Sequence, residues 1–219
     1  MSKALFVVGG WEGHTPRESA ALFAGRLAQH GFEVVMSDAL DCLADTNLMA
    51  AVALIVPVWT MGVLTPEQER GLLDAVRSGA GVGGWHGTMC DSFRNNPEYQ
   101  WMTGGQWVAH PGNCIPVYTV RPTDVPHPVT AGIGPFEMHN TEQYYMHTDP
   151  SNTVLATTVF DCPDAPTGHG TVMPVVWTRR WGAGRVFYAS FGHTVADFEV
   201  PEALTIVERG LLWAAGRLS

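Results

Sequence analysis

The first half of this chain repeatedly pairs a short apolar run, halted by glycine or tryptophan, with the start of a helix, and few folds accept that pattern. Ala4–Val8 is continuously apolar and stops at Gly9-Gly10, as a strand buried on both faces does. Thr15-Pro16-Arg17-Glu18 then reads as an N-cap, a proline at the first helical position and an acid placed for a capping box. Ala21, Phe23, Ala24, Leu27 and Ala28 recur at helical spacing, and Gly31 closes the segment. Phe32–Met36 reads as a second strand, and Ala51–Val58 as a third that runs into Trp59-Thr60-Met61-Gly62. Thr65-Pro66-Glu67-Gln68 repeats the helix-start signal, with Leu72, Leu73 and Val76 on the apolar face. Ala80–Trp85 is a fourth, glycine-rich strand, and His86-Gly87-Thr88 turns into the next helix. Strands and helices alternating at this interval predict right-handed βαβ units and a doubly wound, mostly parallel α/β sheet.

The second half keeps a different rhythm. From Asn95 to about Pro135, proline, glycine and tryptophan interrupt any period, which predicts an elaborated loop region with short strands. Val117–Val120, Thr153–Val159, Val172–Trp177 and Val186–Ser190 read as strands of an antiparallel flank, with a hairpin at Gly182-Ala183-Gly184. A helix from about Pro201 to Ala215 repeats Leu204, Val207, Leu211 and Ala214 on one face. No linker or repeat divides the chain, so residues 1–219 are expected to form a single domain.

Charge and cysteine usage exclude several function classes. The chain carries 12 Lys+Arg against 21 Asp+Glu, a net charge of −9, with no basic run, which argues against nucleic acid and anionic membrane partners. Cys42, Cys90, Cys114 and Cys162 form no CxxC pair, so neither a zinc knuckle nor a disulfide framework is expected. The apolar run at the N-terminus is too short for a signal peptide, and no stretch reaches the roughly 20 residues of a membrane span. A soluble, cytoplasmic protein is the expectation.

Ligands of open α/β sheets gather beyond the carboxyl ends of the strands. The polar and aromatic residues placed there are Trp11, Glu12 and His14 after the first strand, Trp59 and Thr60 after the third, and Trp85 and His86 after the fourth. His193 follows the last strand, with Asp197 four residues on. Gly84-Trp85-His86-Gly87-Thr88 has the strand–turn–helix frame of a nucleophile elbow, with histidine where a nucleophile would stand. Histidine suits acid–base work or metal ligation. Cys90, one turn further on, reads as a buried small residue. The Gly9-Gly10-Trp11-Glu12-Gly13 run is not GxGxxG, so a nicotinamide cofactor is not expected. His30 and His127 read as structural or surface residues, and His169, between Gly168 and Gly170, as a loop residue.

The opening Val7-Val8-Gly9-Gly10-Trp11-Glu12-Gly13-His14, the Gly84-Trp85-His86-Gly87 elbow, and Gly104-Gly105-Gln106-Trp107-Val108-Ala109-His110-Pro111 together resemble the ThuA-like family. So do His127-Pro128-Val129-Thr130, Glu142-Gln143-Tyr144 and Phe191-Gly192-His193, and the motifs span nearly the whole chain. The resemblance implies a flavodoxin-like, class I glutamine amidotransferase-like fold. It also implies a role in utilisation of trehalose or a related disaccharide or keto-sugar, often beside a sugar oxidoreductase. Amidotransferases place cysteine at the elbow and a later His-x-Glu; this chain has His86 and no such pair, so glutamine hydrolysis is not expected. Where the family motif has an acidic pair, this chain has Thr141-Glu142, so only Glu142 carries over.

Two site chemistries are open at this point. His86, Glu142 and His193 are candidate catalytic groups, and Trp11, Glu12, His14, Trp59, Trp85, His110 and Tyr144 candidate substrate contacts. His86, His110, Glu142 and His193 could instead hold zinc or another divalent ion. His139 and His147 flank Glu142; on a strand His139 and Glu142 would face opposite sides, whereas in a loop they could converge. The functions to weigh are a sugar-acting hydrolase, lyase or isomerase, a non-catalytic sugar-binding or scaffolding partner of an oxidoreductase, and a metal-dependent hydrolase of unrelated substrate. A homodimer is the expected assembly.

Overall fold

The computed structural model describes residues 2–161, 166–167 and 169–219; Cys162 and Gly168 lie outside the described residues. The parallel half begins with β1 (Lys3–Gly9), a 3-10 turn at Glu12–His14, α1 (Pro16–Gln29) and β2 (Glu33–Ser37). It continues through a 3-10 turn at Leu40–Ala44, α2 (Thr46–Ala51), β3 (Val52–Trp59), α3 (Pro66–Ser78), β4 (Gly81–Trp85) and α4 (His86–Cys90). The middle holds α5 (Pro97–Thr103), β5 (Gly105–Ala109), β6 (Cys114–Pro122), β7 (Phe136–Glu142) and β8 (Tyr145–Thr148). The chain then forms β9 (Thr153–Phe160), β10 (Thr171–Trp181), β11 (Gly184–Ala189), a 3-10 turn at Val195–Glu199 and α6 (Pro201–Ala214).

One nine-stranded sheet runs in the order β2-β1-β3-β4-β11-β10-β9-β6-β7. The strands from β2 to β11 are mutually parallel, and β10, β9, β6 and β7 extend the sheet with antiparallel pairings. This is the mixed α/β architecture that the two rhythms of the sequence predict. β5 and β8 form a separate antiparallel pair. The hairpin expected at Gly182-Ala183-Gly184 joins β10 to β11, with Trp181 opposite Gly184.

The period of two in β1 divides its side chains between two cores. Ala4, Phe6 and Val8 pack with Phe23, Phe187 and Leu211 toward α1 and α6, whereas Leu5 and Val7 pack with Leu72, Tyr99 and Trp177. Both faces of the parallel half are therefore covered, which is why its strands read as unbroken apolar runs.

Two local expectations change. Thr65 makes the predicted capping box with Gln68, but Thr15 makes none with Glu18: its backbone is left-handed and its side chain caps no amide of α1. The Thr15 hydroxyl instead accepts from the Val195 amide at 2.8 Å, across the sheet ends. The Asn95–Pro135 stretch contains α5 as well as short strands; Asn96 caps that helix by accepting from the Tyr99 amide.

Two predictions follow from the packing of α6. A Cβ on Gly210 would stand 2.3 Å from the ring of Phe187, which is fully buried. Gly210→Ala would gain up to about 1 kcal/mol of helix propensity, but overpacking of roughly 1–3 kcal/mol outweighs it, so thermal unfolding should show a lower Tm. Glu208 joins α6 to α1 by accepting from Arg26 Nε at 2.7 Å and pairing with His30 Nε2 at 2.9 Å. Burial raises the Glu208 carboxyl pKa, but the His30 and Arg26 contacts more than reverse this, leaving it below the usual range. The pair's stability is thus present above the unfolded carboxyl pKa and is lost as pH falls through the folded value. Glu208→Gln should cost about 1 kcal/mol in chemical denaturation at neutral pH, with the gap to wild type closing below about pH 4.

Candidate active site

The ends of β1, β3, β4 and β11 lie side by side in the sheet, so the residues that follow them meet. His14 sits on the 3-10 turn after β1, almost completely buried, with Nδ1 2.7 Å from the Thr60 hydroxyl beyond β3. His86 begins α4 with a φ of 45, the left-handed strain that turns the residue of an elbow out of line with its strand. Gly87 follows because nothing larger fits: a Cβ there would stand 2.2 Å from His14 Cε1 and 2.8 Å from the Tyr144 hydroxyl.

His86 has no exposed surface. Its Nδ1 is 2.9 Å from the Ser190 carbonyl oxygen, which only accepts, so Nδ1 carries a proton and donates it. Nε2 is then the lone-pair nitrogen of the neutral ring, and it lies 3.2 Å from Glu142 Oε2. His193 brings Nδ1 to 3.4 Å from both that oxygen and His86 Nε2. Tyr144 stacks on His86, with centroids 3.8 Å apart.

β7 carries Glu142 on the same buried face as Phe136 and Met138. Asn140 has a φ of 50, after which Thr141 and Glu142 are both buried, while His139 on the preceding regular stretch is exposed and pairs with Glu137. His139 and Glu142 thus part company, as expected for a strand, and His147 is exposed on β8. Asp197 supports the group from behind. Its Oδ2 accepts from the Thr141 hydroxyl at 2.7 Å, the His193 amide at 2.8 Å and the Gly192 amide at 3.2 Å. In the sequence Asp197 is marked only by its place four residues after His193.

Burial dominates the electrostatics of the imidazoles. It pushes His14 down to about 2, helped by the positive charge His86 and His193 would carry. Burial also lowers His86, against the pull of Glu142, so both rings are neutral at pH 7. Burial alone would raise the Glu142 carboxyl, but contacts from His193 and His86 outweigh it and hold the group below its usual range, ionised.

A cavity of about 350 Å³ opens over this cluster, bounded by Trp11, Trp107, His110, Arg94, Glu142 and Tyr144. Arg94 is clamped by both oxygens of buried Asp91 at 2.5 and 2.8 Å, and its guanidinium lies over the Trp107 ring at 4.7 Å. A larger hollow of about 800 Å³, lined by residues of α2 and α3 such as Met49 and Gly71, lacks any such convergence of histidines.

The structure therefore gathers most of the expected site residues but not all. Trp85 is fully buried and packs on Phe23 at 4.7 Å and Phe198 at 5.8 Å, so it belongs to the core and not to a substrate wall. Trp59 packs close to Gly9 and Gly62, and exposed Glu12 stands outside the cavity lining. His110 reaches only 3.8 Å from the other Glu142 oxygen. The four-donor group is His14, His86, Glu142 and His193, so His14 stands where the sequence reading placed His110. Burial raises the Cys90 thiol well above its ordinary value, leaving an inert side chain one turn behind the elbow.

Solved structures share the architecture. A ThuA-like protein from Parabacteroides merdae superposes with a TM-score of 0.78 at 21% identity, over 100% of this chain and 91% of that one. A ThuA-like protein from Bacteroides uniformis gives 0.78 at 17% identity, over 97% of this chain and 91% of that one. A β-galactosidase from Bacillus circulans gives 0.59 at 13% identity over 98% of this chain but 30% of that one, a likeness to part of a larger protein. At these identities the superpositions show a common fold. No curated protein matches the chain. The family model described as ThuA, trehalose utilisation, matches residues 3–214, and with the fold it agrees with, this chain belongs to the ThuA family.

Proposed function

We infer that this protein is an enzyme of carbohydrate utilisation, acting on trehalose or a related disaccharide or keto-sugar. The observation that carries the reading is an ionised, nearly buried carboxylate, Glu142, held between His86 and His193 on the floor of an aromatic-walled cavity. The description of the family model supplies the substrate class. The cavity, at about 350 Å³, falls within the roughly 300–1,000 Å³ typical of small-molecule sites.

The parts suit proton transfer at a sugar oxygen or an acidic sugar C–H, the opening step of hydrolase, lyase and isomerase chemistry alike. Glu142 is the base, because an ionised carboxylate facing the cavity accepts a proton without reorganisation. His193, half-buried, touches Glu142 and relays that proton. His86, with Nδ1 committed to Ser190, keeps its Nε2 lone pair 3.2 Å from Glu142 and accepts the hydrogen bond of the carboxyl once Glu142 has taken up a proton. The rings of Trp11 and Trp107 offer flat faces for a pyranose, and Arg94, immobilised by Asp91, offers its remaining N–H groups to hydroxyls. The protein would work in the cytoplasm, alone or as a homodimer, in step with an oxidoreductase that supplies oxidised sugar.

His86→Ala should lower turnover of the responsive sugar about 1,000-fold, measured by NMR on trehalose and keto-disaccharides. Removing this buried ring should cost about 2–4 kcal/mol, within a typical margin of roughly 5–15, so circular dichroism should still report a folded protein. Turnover equal to wild type would remove His86 from the mechanism. Trp11 is 47% exposed at the cavity edge. Trp11→Ala should raise KM about tenfold, the loss of roughly 1.4 kcal/mol of stacking, with kcat little changed. A fall in kcat with constant KM would instead place Trp11 in the chemical step.

A further inference from the structure

The geometry points to a binding site for one divalent first-row transition-metal ion, zinc or a close relative, formed by His14, His86, Glu142 and His193. The inference rests on the site just described but adds a cofactor to it. One donor atom from each of these four residues lies within 4.8 Å of all the others. Three of the spacings are 3.2 Å (His86 Nε2 to Glu142 Oε2), 3.4 Å (His193 Nδ1 to the same oxygen) and 3.4 Å (His193 Nδ1 to His86 Nε2). Nitrogen and oxygen donors that share an ion at about 2.1 Å stand roughly 3.4 Å apart in a tetrahedron and closer in an octahedron.

Proton counting supports the same conclusion. The Ser190 carbonyl takes the Nδ1 proton of His86, so the neutral ring turns a lone pair toward the carboxylate oxygen. The one proton His193 Nδ1 can carry serves either the oxygen or His86 Nε2, and whichever it serves, lone pairs are left facing each other. A cation at the meeting point satisfies all of them together.

The supporting shell also fits. Metal-bound histidines donate their second nitrogen to a carbonyl or hydroxyl partner that fixes the ring, and here Ser190 holds His86 and Thr60 holds His14. Asp197 fixes the His193 backbone and reaches the strand carrying Glu142 through Thr141. Three imidazoles and one carboxylate favour a first-row transition ion over magnesium or calcium, which prefer oxygen. His110, with Nε2 3.8 Å from the other carboxylate oxygen, lies outside the donor group.

The test uses the full chain, purified, stripped with a chelator, and titrated with zinc by calorimetry and with cobalt(II) by visible absorption. One ion per chain is expected, with cobalt bands typical of nitrogen and oxygen ligation and no displacement by excess magnesium. His193→Ala and Glu142→Gln should each weaken zinc at least about 100-fold, whereas His110→Ala leaves the affinity unchanged. His14→Ala should weaken it as well; because His14 is buried, His193→Ala, at a half-buried position, serves as the variant that keeps the fold. No stoichiometric ion, displacement by magnesium, or a loss in His110→Ala equal to that in His193→Ala would overturn the site. Zinc bound without turnover of any sugar would sink the enzymatic reading and leave this one standing. Turnover of a sugar by a chain that binds no stoichiometric ion would do the reverse.

Discussion

The site depends on a carboxylate that never enters the cavity. Asp197, buried on the 3-10 turn after β11, gathers the amides of Gly192 and His193 and the hydroxyl of Thr141 on a single oxygen. Those groups come from the end of β11 and from β7 at the far edge of the antiparallel flank, with three strands between them in the sheet order. A charged acceptor bonded to three donors is worth more than a neutral one, and loses more when a donor is removed. Asp197 therefore sets where His193 and Glu142 stand relative to each other. Thr15 does the same for the loop after β1, by holding the Val195 amide.

Around that anchor the protein solves a conflict between burial and charge. Burial suppresses the charge of His14 and His86 and would suppress that of Glu142 too. Only Glu142 escapes, because His193 Nδ1 stands 3.4 Å from it and one face remains open to the cavity. The result is one anion among neutral rings, a different balance from the cysteine-centred elbow of amidotransferases. The left-handed φ of His86 displays a histidine at the elbow.

Glycine and aromatic residues do the steric work that lets these groups approach. Gly87 admits the His14 ring and the Tyr144 hydroxyl at once, and the Tyr144 ring stacks on His86. Trp85, adjacent in sequence to His86, points the other way into Phe23 and Phe198. Trp85 ends β4 and His86 opens α4 with a left-handed φ; both rings are buried, the bulkier, less polar one in the apolar core and the histidine among polar groups. Strand alternation separates Glu142 from His139, three residues apart on β7.

By itself the sequence determined the sheet and its cores, because apolar runs ended by glycine and helix starts marked by Thr-Pro are local signals. It also placed His14, His86 and His193 after strands, and from that the meeting of β1, β4 and β11 loops could be anticipated. What it could not decide was which histidines meet. His14 and His110 look alike in a string of residues, yet one lies on a turn tucked under the elbow and the other on a segment that only borders the cavity. The separate β5–β8 pair, the kink at Asn140 and the reach of Asp197 across the sheet all arise from pairings between distant segments. Such pairings leave no periodic trace, since each depends on a contact with a single distant partner, and only the tertiary structure brings those partners together.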